Sequence, residues 1–189
     1  MGTDDANLAL LAKAGDRAAF ALLVDRYLPR VRGFLYRLAG ARGGTDDLAQ
    51  EVFLIAIRSL SNLREPQYFS TWLFGIAFRV YKSNTRRDAG MRREDFDERD
   101  LVSYQFSENA IITEEEHAIV AAAIARLPER HRDAFLLRHA EDLSTGEVAK
   151  ILEVPEGTAR RWDFEARERL RELLANKLSV TDTHRLKPQ

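Results

Sequence analysis

The chain has 189 residues, of which 45% are hydrophobic and 31% are charged, as in proteins built from one or two globular domains. Its formal net charge is -1, so any nucleic-acid binding must depend on local basic patches. The lack of cysteine excludes disulfides, thiolate metal sites and a cysteine nucleophile. No signal-peptide pattern and no apolar run of about 20 residues is present, so the sequence predicts a cytoplasmic protein without membrane insertion.

Residues 4–39 predict two helices that are separated at Gly15 and Asp16, with Asp16 placed to cap the second helix. Pro29 inside the second helix predicts a kink or a break. The apolar side of the first helix consists of Leu8, Leu10 and Leu11. The core face of the second consists of Phe20, Leu22, Leu23, Tyr27, Val31, Phe34, Leu35 and Leu38.

A third helix, TDDLAQEVFLIAIRSL, follows Gly43 and Gly44, and Thr45 or Asp46 can cap it. Its apolar side is formed by Leu48, Val52, Phe53, Ile55 and Ala56. Its polar side is formed by Asp46, Asp47, Gln50 and Glu51. Capping and solubility can explain these acids. A metal site is not predicted, because no histidine or further acid is placed nearby.

The next segment combines aromatic and basic residues after a polar loop at residues 61–69. A helix predicted from Ser70 follows, and most of its aromatic residues are expected in the core. The aromatic residues are Tyr68, Phe69, Trp72, Phe74, Phe78 and Tyr81. The basic residues are Arg79, Lys82, Arg86, Arg87, Arg92 and Arg93. This pattern is typical of surfaces that hold single-stranded or opened DNA, although a solvated basic helix end would look the same.

Periodicity fades between residues 88 and 113, which predicts a flexible linker. A helix capped by Thr113 and Glu116 is then predicted to run to Arg126. Pro128 begins another helix, whose predicted buried residues are Phe135, Leu136 and Leu137. The histidines of this helix, His131 and His139, do not converge on a metal and are interpreted as surface or structural residues.

The stretch from Ser144 to Leu174 predicts a helix, a turn and a longer helix. Ser144 and Glu147 form a capping-box pattern, and Pro155 and Gly157 mark the turn. A helix-turn-helix places the start of its second helix in the DNA major groove. The residues expected to meet DNA are Thr158, Arg160 and Arg161; the alternative is an ordinary helical hairpin.

From about residue 6 to residue 178 the chain resembles the group-4, or extracytoplasmic function (ECF), sigma factors of bacterial RNA polymerase. The segments that carry the resemblance are AGDRAAFALLVDRYLPRVRGFLYRLAG, TDDLAQEVFLIAIRSL, FSTWLFGIAFRV and LPERHRDAFLLRHAEDLSTGEVAKILEVPEGTARR. The resemblance implies an all-α fold of two small helical domains. These are a sigma region 2 bundle at 4–87 and a sigma region 4 helix-turn-helix at 114–178, joined by the linker 88–113 and followed by a tail at 179–189.

The resemblance also implies an alternative sigma factor that binds core RNA polymerase and directs it to the −10 and −35 elements of promoter DNA. The residues that would dock on the β′ coiled coil are Asp46, Asp47, Gln50 and Glu51. Those implied for −10 DNA are Tyr68, Phe69, Arg79, Lys82, Arg86 and Arg87. Those implied for −35 DNA are Thr158, Arg160, Arg161 and Arg167. Region 4 would also contact the β-flap, an anti-sigma factor would be a further partner, and neither catalysis nor a cofactor or metal is implied.

The most unusual of three departures from the family pattern is the segment RRWDFEAR, where the family usually shows a sequence similar to KSRLxRAR. Asp163 stands where a buried leucine is usual, and Glu165 replaces a basic residue. A buried unpaired carboxylate costs several kcal/mol, so we expect Trp162 to face the core and Asp163 to be exposed or paired with an arginine. Two alternatives stay open: a stand-alone helix-turn-helix regulator, and a sigma-like interaction module controlled by an anti-sigma factor, which the two acids favour.

Overall fold

The computed structural model describes residues 3–39, 44–91 and 114–185, with side chains for 4–39, 44–87 and 118–175. The ordered elements in these ranges are helices and none is a strand, which confirms the all-α prediction. The chain forms two compact units, Met1–Asp97 and Glu98–Gln189. Most of the predicted linker and the end of the predicted tail lie outside the described residues.

Among its described residues, the first unit contains four α-helices: α1 (Thr3–Lys13), α2 (Arg17–Ala39), α3 (Thr45–Ser59) and α4 (Phe69–Met91). The Asp16 cap is confirmed, because its Oδ1 accepts the N–H groups of Ala18 and Ala19 at 2.9 and 3.1 Å. Helix α2 runs through Pro29, so no break occurs there. The predicted loop at 61–69 contains two 3-10 turns, Leu60–Asn62 and Pro66–Tyr68, and α4 extends four residues into the predicted linker.

The core of the first unit is held by edge-to-face aromatic pairs between α2 and α4. The ring centroids of Tyr27 and Phe69 are 5.3 Å apart, and those of Phe34 and Phe74 are 5.4 Å apart. The Tyr27 hydroxyl donates to Asp5 Oδ2 at 2.8 Å. Burial, together with this bond to Asp5, raises the pKa of Tyr27 to about 12.

The predicted apolar side of α1 is wrong in part. Leu10 and Leu11 are exposed, and so is Leu22 on α2. The buried residues of α1 are Ala9 and Ala12, whose small side chains allow the two helices to pack closely. The i, i+3, i+4 series that faces α2 includes these alanines and not the adjacent leucines.

The second unit contains α5 (Glu114–Ala125), α6 (Glu129–Phe135), α7 (Thr145–Leu152) and α8 (Glu156–Arg185), and α6 continues into a π-helical turn at Leu136–Ala140. Both hydrogen bonds of the Ser144–Glu147 capping box are present, as predicted. Glu153 is the C-cap of α7, and its φ of 56° is left-handed. Because α8 begins at Glu156, Gly157 lies inside the first turn of α8 and not in the connecting turn. Leu136 and Leu137 are buried as expected, whereas Phe135 is half-buried.

Candidate nucleic-acid and polymerase interfaces

Helix α3 presents an acidic face to solvent. Asp46, Asp47, Gln50 and Glu51 are all exposed. Neither Thr45 nor Asp46 caps the helix, because the N-cap is Gly44 with a left-handed φ of 92° and no side-chain bond. Capping therefore does not explain these acids. One of them already has a partner: the Arg32 Nη2 atom lies 2.6 Å from Asp46 Oδ1.

Two exposed apolar residues continue the acidic face toward the C-terminus of α3. Leu54 is 53% exposed and Ile57 is 49% exposed. With Asp47 and Gln50 they form a series at i, i+3, i+7 and i+10, which follows one face of a helix. The sequence analysis missed them, although both residues lie outside the predicted apolar side of α3.

Helix α4 carries the predicted basic stripe, and its charged groups are accessible. Arg79, Arg86 and Arg87 are exposed, and Lys82 is half-buried. The Lys82 Nζ atom lies 5.0 Å from the Phe78 ring centroid and 5.7 Å from that of Tyr81. Residues 79, 82 and 86 share one helix face, since they stand at i, i+3 and i+7. Arg92 and Arg93 lie outside the described residues.

The two aromatic residues predicted to contact −10 DNA differ in exposure. Tyr68 is exposed, in the 3-10 turn before α4. Phe69 is only 1% exposed, and its ring packs against Tyr27 and, at 5.8 Å, against Trp72. The structure thus places Phe69 in the core, where it cannot contact DNA directly, because the chain enters α4 at this residue and turns the ring inward.

Helix α8 presents Arg160, Arg161 and Arg167 to solvent, and Thr158 is half-buried at its start. Acidic neighbours one turn away partner all three of these arginines. Arg160 Nη2 lies 3.1 Å from Glu156 Oε1, and Arg161 Nε lies 3.7 Å from Glu165 Oε1.

Phe164 lies on the same surface of α8 and was missed by the sequence analysis. Its ring is 55% exposed, and the Arg167 guanidinium carbon lies 6.0 Å from the ring centroid. The sequence did contain a signal for it, because Phe164 is a large aromatic residue that lies between arginines predicted to contact DNA. The surface of α8 therefore combines cationic and apolar groups.

The two acids that depart from the family pattern turn toward α6 and the π-helical turn that continues it. Glu165 Oε2 lies 2.6 Å from Nε2 of His131, which is buried, and this hydrogen bond lowers the pKa of the Glu165 carboxyl. Asp163 Oδ1 lies 2.7 Å from His139 Nε2, and Asp163 Oδ2 lies 3.4 Å from Arg167 Nε. The expected pairing of Asp163 with an arginine is confirmed, and both histidines serve structure.

Trp162 is less central to the core than expected. It is half-buried, whereas Ala159, Ala166 and Leu170 are buried along α8. The guanidinium carbon of Arg130 lies 5.9 Å from the Trp162 ring centroid. The indole thus covers the edge of the core and does not fill its centre.

Within the part of the chain that the structure describes, no group of three or more histidine and acidic side chains could hold a metal ion. Among the described helices, none is both long and apolar enough to cross a membrane.

Comparison with known families and proteins places both units in one group. The family model "Sigma-70 region 2" matches residues 23–90, and "Sigma-70, region 4" matches residues 117–170. The RNA polymerase sigma-H factor of Pseudomonas aeruginosa is 36% identical over 174 residues, which cover 87% of this chain and 90% of that protein. The ECF RNA polymerase sigma-E factor of Escherichia coli K12 is 36% identical over 165 residues, which cover 82% and 85%.

Two solved structures share the fold. CnrH in complex with the cytosolic domain of CnrY matches with a TM-score of 0.68 at 23% identity, covering 92% of this chain and 98% of that one. The sigma factor RpoE in complex with the anti-sigma factor NepR from Bartonella quintana matches with a TM-score of 0.68 at 22% identity, covering 82% and 96%.

Proposed function

The chain belongs to the ECF sigma factors and is an alternative sigma factor for promoter-directed transcription initiation, and we propose which of its surfaces carry each step. The observation that carries this assignment is the order of two matches, region 2 at 23–90 and region 4 at 117–170, one in each compact unit. The protein acts by binding and not by catalysis. Because its partner polymerase works in the cytoplasm, we place it there as well.

We propose that the α3 face docks on the β′ coiled coil of core RNA polymerase. Asp47, Gln50 and Glu51 supply a polar edge, and the exposed Leu54 and Ile57 supply apolar area beside it. An apolar centre with a polar rim is the usual anatomy of a protein interface. Asp46 contributes less, since Arg32 already neutralises it.

We propose that the first unit, with its functional part at 4–87, holds the opened −10 element. Arg79, Lys82, Arg86 and Arg87 attract the backbone of a single strand, and Tyr68 offers an exposed ring for base stacking. Extruding a base costs a few kcal/mol, so a ring that receives it favours the open state. The buried Phe69 supports the chain beside Tyr68.

We propose that the second unit, with its functional part at 114–178, reads the −35 element through α8 and also contacts the β-flap. Thr158, Arg160, Arg161 and Arg167 approach phosphates and base edges, as in other helix-turn-helix proteins. Phe164 is suited to apolar contact with a thymine methyl group. The acids Asp163 and Glu165 do not repel DNA strongly, because the guanidinium groups of Arg167 and Arg161 lie one turn away and offset their charge.

The protein also has a proposed regulator. A solved structure of the same fold contains a sigma factor bound to an anti-sigma factor. We propose that an anti-sigma factor likewise holds this chain. The alternative of a sigma-like module whose second unit mainly binds a regulator loses its main support, because the acids that favoured it are paired within the second unit.

The test is transcription from a promoter library by purified core polymerase, with and without this protein. We expect discrete start sites that share two upstream motifs only when the protein is present. The controls are core polymerase alone and core polymerase mixed with the Asp47→Lys variant. A folded protein that binds core polymerase and yields no start sites would contradict the proposal, and one that binds duplex DNA without polymerase would favour a stand-alone regulator.

A further inference from the structure

We propose that Asp163 is a positioning residue, which holds the guanidinium of Arg167 so that its two terminal nitrogens face a pair of acceptors on promoter DNA. This inference rests on the proposed contact between α8 and the −35 element. It concerns the position at which this chain departs from its family, so it is a property of this chain.

The geometry that supports it is a three-residue chain of contacts across the second unit. Asp163 Oδ1 lies 2.7 Å from His139 Nε2, and Asp163 Oδ2 lies 3.4 Å from Arg167 Nε. The carboxylate is thus engaged through both oxygens, and its side chain is 15% exposed. Arg167 is more open, at 43%, and its head rests beside the Phe164 ring.

The contact through Nε determines which arginine atoms remain for DNA. Because Nε is the guanidinium nitrogen nearest to Asp163, the Nη1 and Nη2 groups are left as a planar pair of donors. Such a fork matches the O6 and N7 atoms of guanine in the major groove, and it also matches two phosphate oxygens. An arginine that is already held loses less side-chain freedom on binding than a free one.

His139 extends the contacts to the helix that packs against α8. It lies in the π-helical turn at Leu136–Ala140, and its ring centroid is 4.8 Å from that of Phe135. His139 therefore fixes Asp163 to the body of the unit, so that Arg167 is oriented by the fold and not only by its own helix.

A simpler role for Asp163 is to attach α8 to α6, with no effect on Arg167. The two roles differ in coupling. A positioning residue acts through Arg167, so removing both residues costs no more than removing Arg167 alone, whereas independent effects add.

The experiment measures −35 selection by the reconstituted holoenzyme on a library randomised over the −35 element. It compares the wild type, Arg167→Ala, Asp163→Ala, Asp163→Asn and the double variant Asp163→Ala/Arg167→Ala. Glu172→Ala, which removes an exposed acid from the same helix, is the control for charge. Melting of each full-length variant identifies losses that arise from unfolding, and Asp163→Asn, which keeps an accepting oxygen, preserves the packing.

We expect Asp163→Ala and Arg167→Ala to lose preference at the same base pair by about tenfold, and the double variant to resemble Arg167→Ala. Asp163→Asn should retain part of the preference. Equal loss on all sequences, with a salt slope reduced by about one, would identify phosphate oxygens as the acceptors and would still support positioning.

The proposal is overturned if Asp163→Ala selects like the wild type while Arg167→Ala does not, if the two losses add, or if Glu172→Ala gives the same loss. Absence of any −35 selection by the wild type is a different result. It would refute the proposed role of α8 itself and the inference with it.

Discussion

At the scale of single residues, Tyr27 links the fold to pH. Its pKa is raised to about 12, above the value near 10 of an unfolded chain. A raised pKa of this kind gives stability that is complete below pH 10 and is lost as the pH rises from 10 to 12. Between these values the first unit of the wild type should lose about 2 kcal/mol more free energy of unfolding than Tyr27→Phe.

The measurement is urea unfolding followed by Trp72 fluorescence, in a Trp162→Phe background so that only the first unit reports. Trp72 is suitable because its ring lies 5.8 Å from that of Phe69, the neighbour of Tyr27. Parallel loss in the wild type and in Tyr27→Phe would show that the hydroxyl is not the cause.

The His131–Glu165 pair gives a second prediction. His131 is 1% exposed and its Nε2 lies 2.6 Å from Glu165 Oε2, so Glu165→Ala leaves a buried ring nitrogen without its partner. We expect Glu165→Ala to destabilise the second unit, and Glu165→Gln to destabilise it less, because its amide can still bond the ring. Urea unfolding followed by Trp162 fluorescence, in a Trp72→Phe background, measures both.

Glu168→Ala is the matched control, since Glu168 pairs with Arg171 on the exposed side of the same helix. Its expected change is within about 0.5 kcal/mol. A loss from Glu165→Ala no larger than that of Glu168→Ala would mean that the buried pair contributes little.

Local residue signals were readable from the sequence, and distant ones were not. The Asp16 cap and the Ser144–Glu147 capping box involve residues two or three positions apart, and both were predicted. The His131–Glu165 bond joins residues 34 positions apart, so it depends on how two helices pack. For Asp163 the arginine partner was expected, because Arg167 is one turn away, and the histidine partner was not.

At the scale of elements, α3 offers a direct test of polymerase docking. We expect Asp47→Lys and Leu54→Ser each to weaken binding to core polymerase at least tenfold, about 1.4 kcal/mol. The first reverses a charge on the acidic face, and the second removes exposed apolar area. Equilibrium binding of labelled protein to core polymerase measures the effect.

The controls for α3 are changes of the same kind on other helices of the first unit, Asp25→Lys and Leu10→Ser, since both residues are exposed. Their binding should remain within about twofold of the wild type, under 0.5 kcal/mol. If all four variants weaken binding equally, general charge and hydrophobicity determine docking and not the α3 face.

Helix α4 offers a corresponding test of promoter opening. Arg79→Ala/Arg86→Ala removes two exposed cations that lie two turns apart on the same face of α4, so open complexes should become less stable and less salt-dependent. Each lost phosphate contact on a single strand lowers the salt slope by about 0.7. Permanganate reactivity of thymines across salt concentrations measures this, with the exposed Arg58→Ala of α3 as control. An unchanged slope would exclude both arginines from the opened strand.

Periodicity predicted where the helices lie better than which way their faces turn. The helix bounds of the first unit were found to within a few residues, yet Leu10, Leu11 and Leu22 are exposed. The resemblance implied a contact of Phe69 with −10 DNA because the residue lies at the loop before α4, but its ring is buried against Tyr27. The rotation of a helix about its axis depends on its neighbours, which a local pattern does not contain.

At the scale of the whole molecule, a net charge of -1 is compatible with DNA binding because the charges are segregated. Acids occupy the exposed face of α3, whereas cations occupy the exposed side of α4. On α8 the arginines Arg160, Arg161 and Arg167 are exposed, whereas Asp163 and Glu165 turn toward His139 and His131. One chain can thus present one sign of charge to a protein and the other to DNA.

The division into Met1–Asp97 and Glu98–Gln189 leads to the last prediction. Each unit has its own buried core, so fragments 1–97 and 98–189 should each retain helical circular dichroism and cooperative melting. A mixture of them should nevertheless initiate poorly at micromolar concentration, because a covalent connection supplies an effective concentration of about millimolar for the second contact.

If the connection acts only as a tether, an intact chain with residues 98–113 replaced by Gly and Ser should keep its start sites. A mixture as active as the intact chain would show that the two promoter contacts are independent. Loss of activity in the Gly-Ser chain, with both units still folded, would show that the native residues of the connection contribute contacts of their own.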